Sequence, residues 1–138
     1  MRAGRVAWRE QLVWVGPPGI RPDPQRPLPL VLFPPPSVTR ALALDAVERG
    51  KRSWRIACTS GSLSGIHAAT IAGLGVAAHS ARLIPAGLIA LPASRFLPEL
   101  GQVEFVVIGP GGHDRIAAAL MAVILQNASR LQPKPPTQ

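Results

Sequence analysis

The chain has 138 residues, enough for one domain of ordinary size or for part of a larger one. Fifteen Lys and Arg against seven Asp and Glu give a formal net charge of +8, although charged residues make up only 16 % and hydrophobic residues 47 %. That much apolar surface excludes a wholly disordered chain. The single Cys58 excludes an internal disulfide framework and a multi-cysteine zinc module, and 16 Pro with 13 Gly exclude a helical bundle.

The absence of Tyr and an aromatic content of 4 % speak against a platform for stacking bases. The basic residues of the first half are spread over a tail, a Pro-rich loop, a helix end and a strand start. Only Arg49-Gly50-Lys51-Arg52 is a cluster, and cations at a helix C-terminus are expected from the macrodipole alone. No direct DNA binding is expected of this chain. The longest uncharged apolar stretch of helical type, 116–125, is about half of what a membrane span needs. Arg2, Arg5 and Arg9 lead to Glu10 without the apolar core of a secretory signal. A soluble, cytoplasmic protein without membrane contact is expected.

In chain order, residues 1–10 read as an N-terminal tail. Gln11 to Val15 is a short apolar run stopped by Gly16-Pro17-Pro18-Gly19, hence a strand entering a turn. Leu28 to Phe33 is a nearly continuous apolar run bounded by Pro27 and Pro34-Pro35-Pro36, which suits a parallel strand covered on both faces. Ser37 offers an N-cap, and Val38, Ala41, Leu44 and Val47 carry a helix to Gly50. Ser53 to Thr59 alternates, with Trp54, Ile56 and Cys58 assigned to one face and Arg55, Ala57 and Thr59 to the other.

Ser60-Gly61-Ser62 then opens a small-residue helix through Ile66, Ala69 and Ile71, and Val76 to His79 is a third strand. Strand, helix, strand, helix, strand makes a right-handed parallel α/β unit the simplest topology. Leu88 to Leu91 reads as a short edge strand and Val103 to Ile108 as a clear one. A last helix follows from Asp114 to Leu131, with Ile116, Leu120, Val123 and Ile124 as its apolar stripe, and 132–138 is a frayed tail.

Several catalytic patterns fail. Gly61-Ser62-Leu63-Ser64-Gly65 carries Leu63 where a nucleophile elbow needs Ser. Gly73-Leu74-Gly75 follows a helix and opens a strand, the reverse of the dinucleotide fingerprint. The seven acids are scattered, and His67 and His79 have no cluster of acids or histidines around them in the sequence. No enzyme, cofactor or metal is expected.

Two strand-to-helix turns survive this filter, Pro36-Ser37-Val38-Thr39 and Thr59-Ser60-Gly61-Ser62. Both fall at the carboxyl ends of neighbouring strands, where open α/β sheets place ligands. Each presents hydroxyls, free backbone N–H groups and a positive dipole end, which suits a carboxylate or another small anion. Alone, either turn is simple capping. Together on one rim they make Ser37, Val38, Thr39, Thr59, Ser60 and Ser62 candidate ligand-binding residues.

The stretch Leu28 to Ala93 resembles the effector-binding domain of LysR-type transcriptional regulators. The likeness rests on the Pro34-Pro35-Pro36-Ser37 run with Arg40, the W-R-I-x-x-T-S-x-S-L-x-G block at Trp54 to Gly65, and the A-x-x-A-G-L-G-V block at Ala69 to Val76. It extends more loosely to Leu12–Val15 and from Leu97 to the last helix. The resemblance implies an α/β, type 2 periplasmic-binding-protein-like lobe with a mainly parallel central sheet flanked by helices. To this it adds crossover strands and a C-terminal helix from the other, incomplete lobe.

On that reading, 11–93 hold the outgoing crossover and the second effector-binding lobe, and 94–131 the return strand and first-lobe helix. The six turn residues match the second lobe's side of the effector pocket, with a small anionic metabolite as effector. Nothing in the chain matches the winged helix-turn-helix, so a regulator truncated at its N-terminus is expected. Further expected partners are a second copy of the chain or a full-length regulator. The alternatives are a truncated interaction protein that associates with full-length regulators, and an inactive remnant.

Overall fold

The structure, a computed structural model, describes residues 5–108, with side chains described for 9–104. The last helix and C-terminal tail of the sequence reading lie outside the described residues. Eight elements follow in order: β1 (Arg5–Gly16), β2 (Leu28–Leu32), α1 (Val38–Arg49), β3 (Trp54–Thr59), α2 (Leu63–Ile71), β4 (Ala77–Ser80), β5 (Ile89–Leu91) and β6 (Gln102–Ile108). The chain divides at Glu10/Gln11 and Gly101/Gln102, so that residues 11–101 form one unit.

The tail expected over 1–10 is shorter than the sequence implied, because β1 already begins at Arg5. Its apolar content there is modest, and what makes it strand is non-local: β6 pairs with β1. Arg9 and Glu104, both at the edges of the two units, face each other at 3.7 Å. The end of the lobe also moves, from the expected 93 to 101. Leu97 and Leu100 are buried, and the Trp14 indole Nε1–H donates to the Pro98 carbonyl at 2.7 Å. Gly101 closes the unit by accepting from the Leu12 N–H at 2.9 Å.

Within the 11–101 unit, β2 and β3 run parallel, with Leu28 opposite Trp54 and Leu32 opposite Thr59. The parallel pattern continues through a bridge from Leu30 to Val76. Val76 is bonded on both sides of its peptide plane to β2: its N–H donates to Pro29 O and its carbonyl accepts from Val31 N–H, both at 2.9 Å. The preceding Gly75 is required by this approach, since a Cβ there would lie 2.6 Å from Pro29 O. After Val76 the third strand changes partner. Ala77–Ser80 pairs antiparallel with β1, Leu12 opposite Ser80 and Val15 opposite Ala77, and β5 pairs antiparallel on the other edge of β1.

The alternation expected along β3 is broken. A register shift between Leu30 and Val31 sets Leu30 against Ile56 but Val31 against Cys58. Adjacent residues of β2 point to opposite faces, so the extra residue of this bulge sends Ile56 and Cys58 to opposite sides. Cys58 packs on the core group of Val15, Val31, Ile66, Ala69, Ala77 and Leu88, whereas Ile56 is 42 % exposed.

Both helices form where their caps predict. Ser37 Oγ accepts the Arg40 N–H at 3.1 Å and Ser62 Oγ accepts the Gly65 N–H at 3.1 Å. Ala43, Ala46 and Val47 bury one face of α1, and Ile66, Ala69 and Thr70 one face of α2. Burying such aliphatic side chains is worth roughly 1.5–3 kcal/mol for each Val, Leu or Ile. That is the main force seating these short helices, whose isolated forms are marginal in water.

Candidate functional site

The parallel pairing of β2 with β3 fixes where the two candidate turns lie. Leu32 and Thr59 are register partners at the carboxyl ends of the strands, and the Ser60 N–H donates to the Leu32 carbonyl at 3.1 Å. From that shared edge one segment runs through Phe33-Pro34-Pro35-Pro36 to the Ser37 cap of α1. The other runs through Ser60-Gly61 to the Ser62 cap of α2. The N-termini of α1 and α2 thus open from one end of the same strand pair, the arrangement read from the sequence.

Around Ser37 the hydroxyls are already partly committed. Ser37 Oγ lies 3.1 Å from Thr39 Oγ1 besides capping Arg40. The Ala41 N–H returns to the Ser37 carbonyl at 3.0 Å. The N–H groups of Val38 and Thr39 have no acceptor among the described residues, and Val38 is 62 % exposed. Two unpaired donors at a positive dipole end are what a carboxylate oxygen requires.

At the second turn the serines form a short hydroxyl relay. Ser60 Oγ accepts the Ser62 N–H and donates to the Ser62 carbonyl, each at 3.2 Å. Ser62 Oγ lies 3.5 Å from Ser60 Oγ and 3.4 Å from Ser64 Oγ. Thr59 is exposed at the strand end. The N–H groups of Leu63 and Ser64 carry no acceptor among the described residues. Gly65 makes room for the relay, because a Cβ at that position would collide with Ser60 Oγ.

A groove of about 590 Å³ runs beside the first turn, walled by Pro35, Pro36, Val38, Ala41 and Leu44, with Ser37 and Arg40 as its polar members. It takes in Ser37 and Val38 but not Thr39, Thr59, Ser60 or Ser62, so the two turns share a strand edge rather than one hollow. Arg40 is held in place by a 3.0 Å bond from Nη1 to the Phe33 carbonyl. That uses one of its five N–H donors and leaves the full positive charge at the groove.

Two residues were not singled out for binding from the sequence. Arg40 carries the family likeness, and Ser64 extends the row of hydroxyls at positions 60, 62 and 64 in S-G-S-L-S, the signal of the relay. The histidines satisfy each other, a pairing the sequence does not show. His67 on α2 and His79 on β4 meet with Nε2 atoms 3.0 Å apart, a contact between elements that no local pattern reports. Among the described residues no group of three or more His, Cys, Asp and Glu could hold a metal ion. No helix of the described residues is long and apolar enough to cross a membrane.

Residues 3–129 match the model of the LysR substrate binding domain. The HTH-type transcriptional regulator DgdR of Burkholderia cepacia is 39 % identical over 95 residues, which are 69 % of this chain and 32 % of that protein. PecT of Dickeya dadantii is 32 % identical over 92 residues, 67 % of this chain and 29 % of that regulator. The chain therefore spans about a third of the length of the curated relatives it matches.

Solved structures share the fold. The bromide-bound regulatory domain of HypT from Salmonella typhimurium matches with a TM-score of 0.66 at 13 % identity, over 94 % of this chain and 66 % of that one. The regulatory domain of CcmR from Synechocystis PCC6803, in complex with 2-PG, matches with a TM-score of 0.60 at 14 % identity, over 90 % of this chain and 67 % of that one.

Proposed function

The chain belongs to the LysR substrate-binding domain family, and on that premise we propose that it is the effector-sensing part of a cytoplasmic transcriptional regulator. The effector is a small anionic metabolite, by preference a carboxylate. One observation carries this reading: the N-termini of α1 and α2, each opened by hydroxyl residues, leave the same end of the β2–β3 pair.

In this account the N–H groups of Val38 and Thr39 hold the anionic oxygens, with the Thr39 hydroxyl as a further donor. Thr59 and Ser62 supply hydroxyls from the second turn, Ser60 joins them by turning its O–H from the Ser62 carbonyl to the anion, and the Ser37 and Ser62 oxygens keep the helix ends in shape. Arg40 adds a charge beside the apolar wall of Pro36, Val38 and Ala41, which accepts the organic remainder of the effector. The regulatory domains of HypT and CcmR were solved with bromide and 2-PG respectively, which supports an anion as the class.

The reading is one of binding without catalysis: His67 and His79 spend their Nε2 atoms on each other, and Ser62 caps its own helix. Homo-oligomerisation, or association with a full-length regulator, belongs to the same proposal. Exposed Leu63 and Ile71 on α2 and the exposed Ile56 of β3 supply apolar area for it.

Calorimetry with a panel of small carboxylates and 2-PG tests the proposal. A saturable ligand is expected, and Thr39→Ala or Ser60→Ala weakens it by about ten- to a hundredfold, the worth of one hydrogen bond to a charged group. Affinities unchanged in both variants, or no ligand in the panel, contradict it.

A further inference from the structure

The opposite pole of the lobe carries a feature that effector sensing at the carboxyl ends of β2 and β3 does not use. Where α1 ends and β3 begins, a polar pocket of about 320 Å³ is lined by Lys51, Arg52, Ser53, Arg95 and Phe96, together with Pro24 and Gly50. Its lining holds three cations and no acid. The nearby carboxylates are engaged elsewhere: Asp23 with Arg26 and the Gln25 N–H, Asp45 with Arg49, and Glu48 with the Trp54 indole.

Arg52 is the unusual member. It is only 7 % exposed, yet no carboxylate among the described residues pairs with it. Its Nε donates to Phe96 O at 3.0 Å, Nη1 to Arg26 O at 2.7 Å and Nη2 to Asp23 O at 2.8 Å. Three neutral carbonyls orient the guanidinium without cancelling its charge, and one N–H on each Nη is left over. A buried charge without a counter-ion is costly, and an anion drawn into the pocket relieves that cost.

Lys51 and Arg95 have no ion-pair partner among the described residues. Arg95 is laid over the Phe96 ring at 4.7 Å, at the rim of the pocket. The negative end of the α1 dipole points this way and opposes an anion. It is blunted, because the Ala46, Val47 and Glu48 carbonyls accept the N–H groups of Gly50, Arg52 and Lys51.

We propose that the Lys51–Arg52–Arg95 pocket is a second, separate anion site that binds a phosphate-type oxyanion, free or carried on a small metabolite. Three positive charges match a dianion better than a single carboxylate. The fork of Arg52 is fixed in advance by its carbonyls, so little side-chain freedom is lost on binding. The concave shape selects a small molecule over the phosphates of a duplex.

The test is titration of the purified 138-residue chain with inorganic phosphate at constant ionic strength, read by backbone amide NMR. Saturable shifts are expected at Lys51, Ser53, Arg95 and Phe96, with acetate at the same concentration producing far weaker ones. The double variant Lys51→Gln, Arg95→Gln should keep its thermal stability and lose affinity by about tenfold or more. Short duplex DNA should leave the same amides unmoved.

Absence of saturable shifts overturns the proposal, as does equal affinity in the double variant or binding of the duplex in place of phosphate. Shifts confined to 37–39 and 60–64 would overturn it while leaving the effector rim standing. Because the two sites are read by different amides, failure of one is visible apart from failure of the other.

Discussion

His67 Nε2 lies 3.0 Å from His79 Nε2, and His79 Nδ1 lies 2.9 Å from the Ser80 carbonyl oxygen. A carbonyl only accepts, so His79 carries its proton on Nδ1 and presents a bare Nε2. His67 must then donate from Nε2. The pair ties α2 to β4, and a further proton enters on His67 Nδ1, where partial burial opposes the charge.

Acid should therefore loosen the lobe. Partial burial, and secondly the neighbouring His79, hold the His67 pKa below the ordinary value of 6.5. The unfolded chain then binds the proton more readily than the folded one, so stability is complete above 6.5 and declines as pH falls from there through the folded value. Urea unfolding at neutral pH and at about pH 5 reads this slope. His67→Ala should flatten it within that window, and an unchanged slope in the variant would assign the effect to other groups.

The core prediction contrasts two register partners on β2 and β3. Leu30 is fully buried while Ile56 is 42 % exposed. Leu30→Ala should cost about 2–5 kcal/mol, and Ile56→Thr less than about 1 kcal/mol. Denaturant midpoints at constant slope decide it, and comparable losses at both positions would contradict the bulge.

Much of this architecture was legible because its causes are local. Ser37 and Ser62 cap the helices they precede, Gly50 ends α1, and the apolar run at Leu28 is a buried parallel strand. What escaped depends on contacts distant in sequence. The strand at Arg5–Glu10 exists through β6, and the bulge opposite Leu30 and Val31 overrides the alternation of β3. In the Arg49-to-Arg52 cluster, Arg49 sits in the last turn of α1, as the macrodipole favours, and pairs with Asp45 four residues earlier. Arg52 owes its place to partners 26 to 44 residues away. At the candidate site the serines and threonines declare themselves, but the groove beside Arg40 needs the path of Pro34–Pro36 in three dimensions.

Arg52 also joins three segments, which gives a stability prediction independent of any ligand. Arg52→Met removes three hydrogen bonds and leaves three carbonyls to find water, at a cost on the order of 3 kcal/mol or more. Hydrogen exchange should accelerate first around 23–26 and 94–97, the segments the guanidinium holds. Slow exchange retained in both loops would contradict the clamp.

The glycines separate close approach from mere turn. Gly75→Ala sets a methyl 2.6 Å from the Pro29 carbonyl oxygen, and backbone cannot yield cheaply, so a loss of about 1–3 kcal/mol is expected. Gly61→Ala meets nothing within 4 Å and should leave thermal unfolding almost unchanged. Equal shifts in the two variants would count against the bridge of Val76 to β2.

The most direct measurement watches the main-chain amides while a small carboxylate ligand saturates the protein. The account expects the largest downfield proton shifts at Val38, Thr39, Leu63 and Ser64, the donors left without acceptors at the two helix starts. If a tightly bound carboxylate leaves those four amides where they were and moves others instead, the anion is not held where β2 and β3 end.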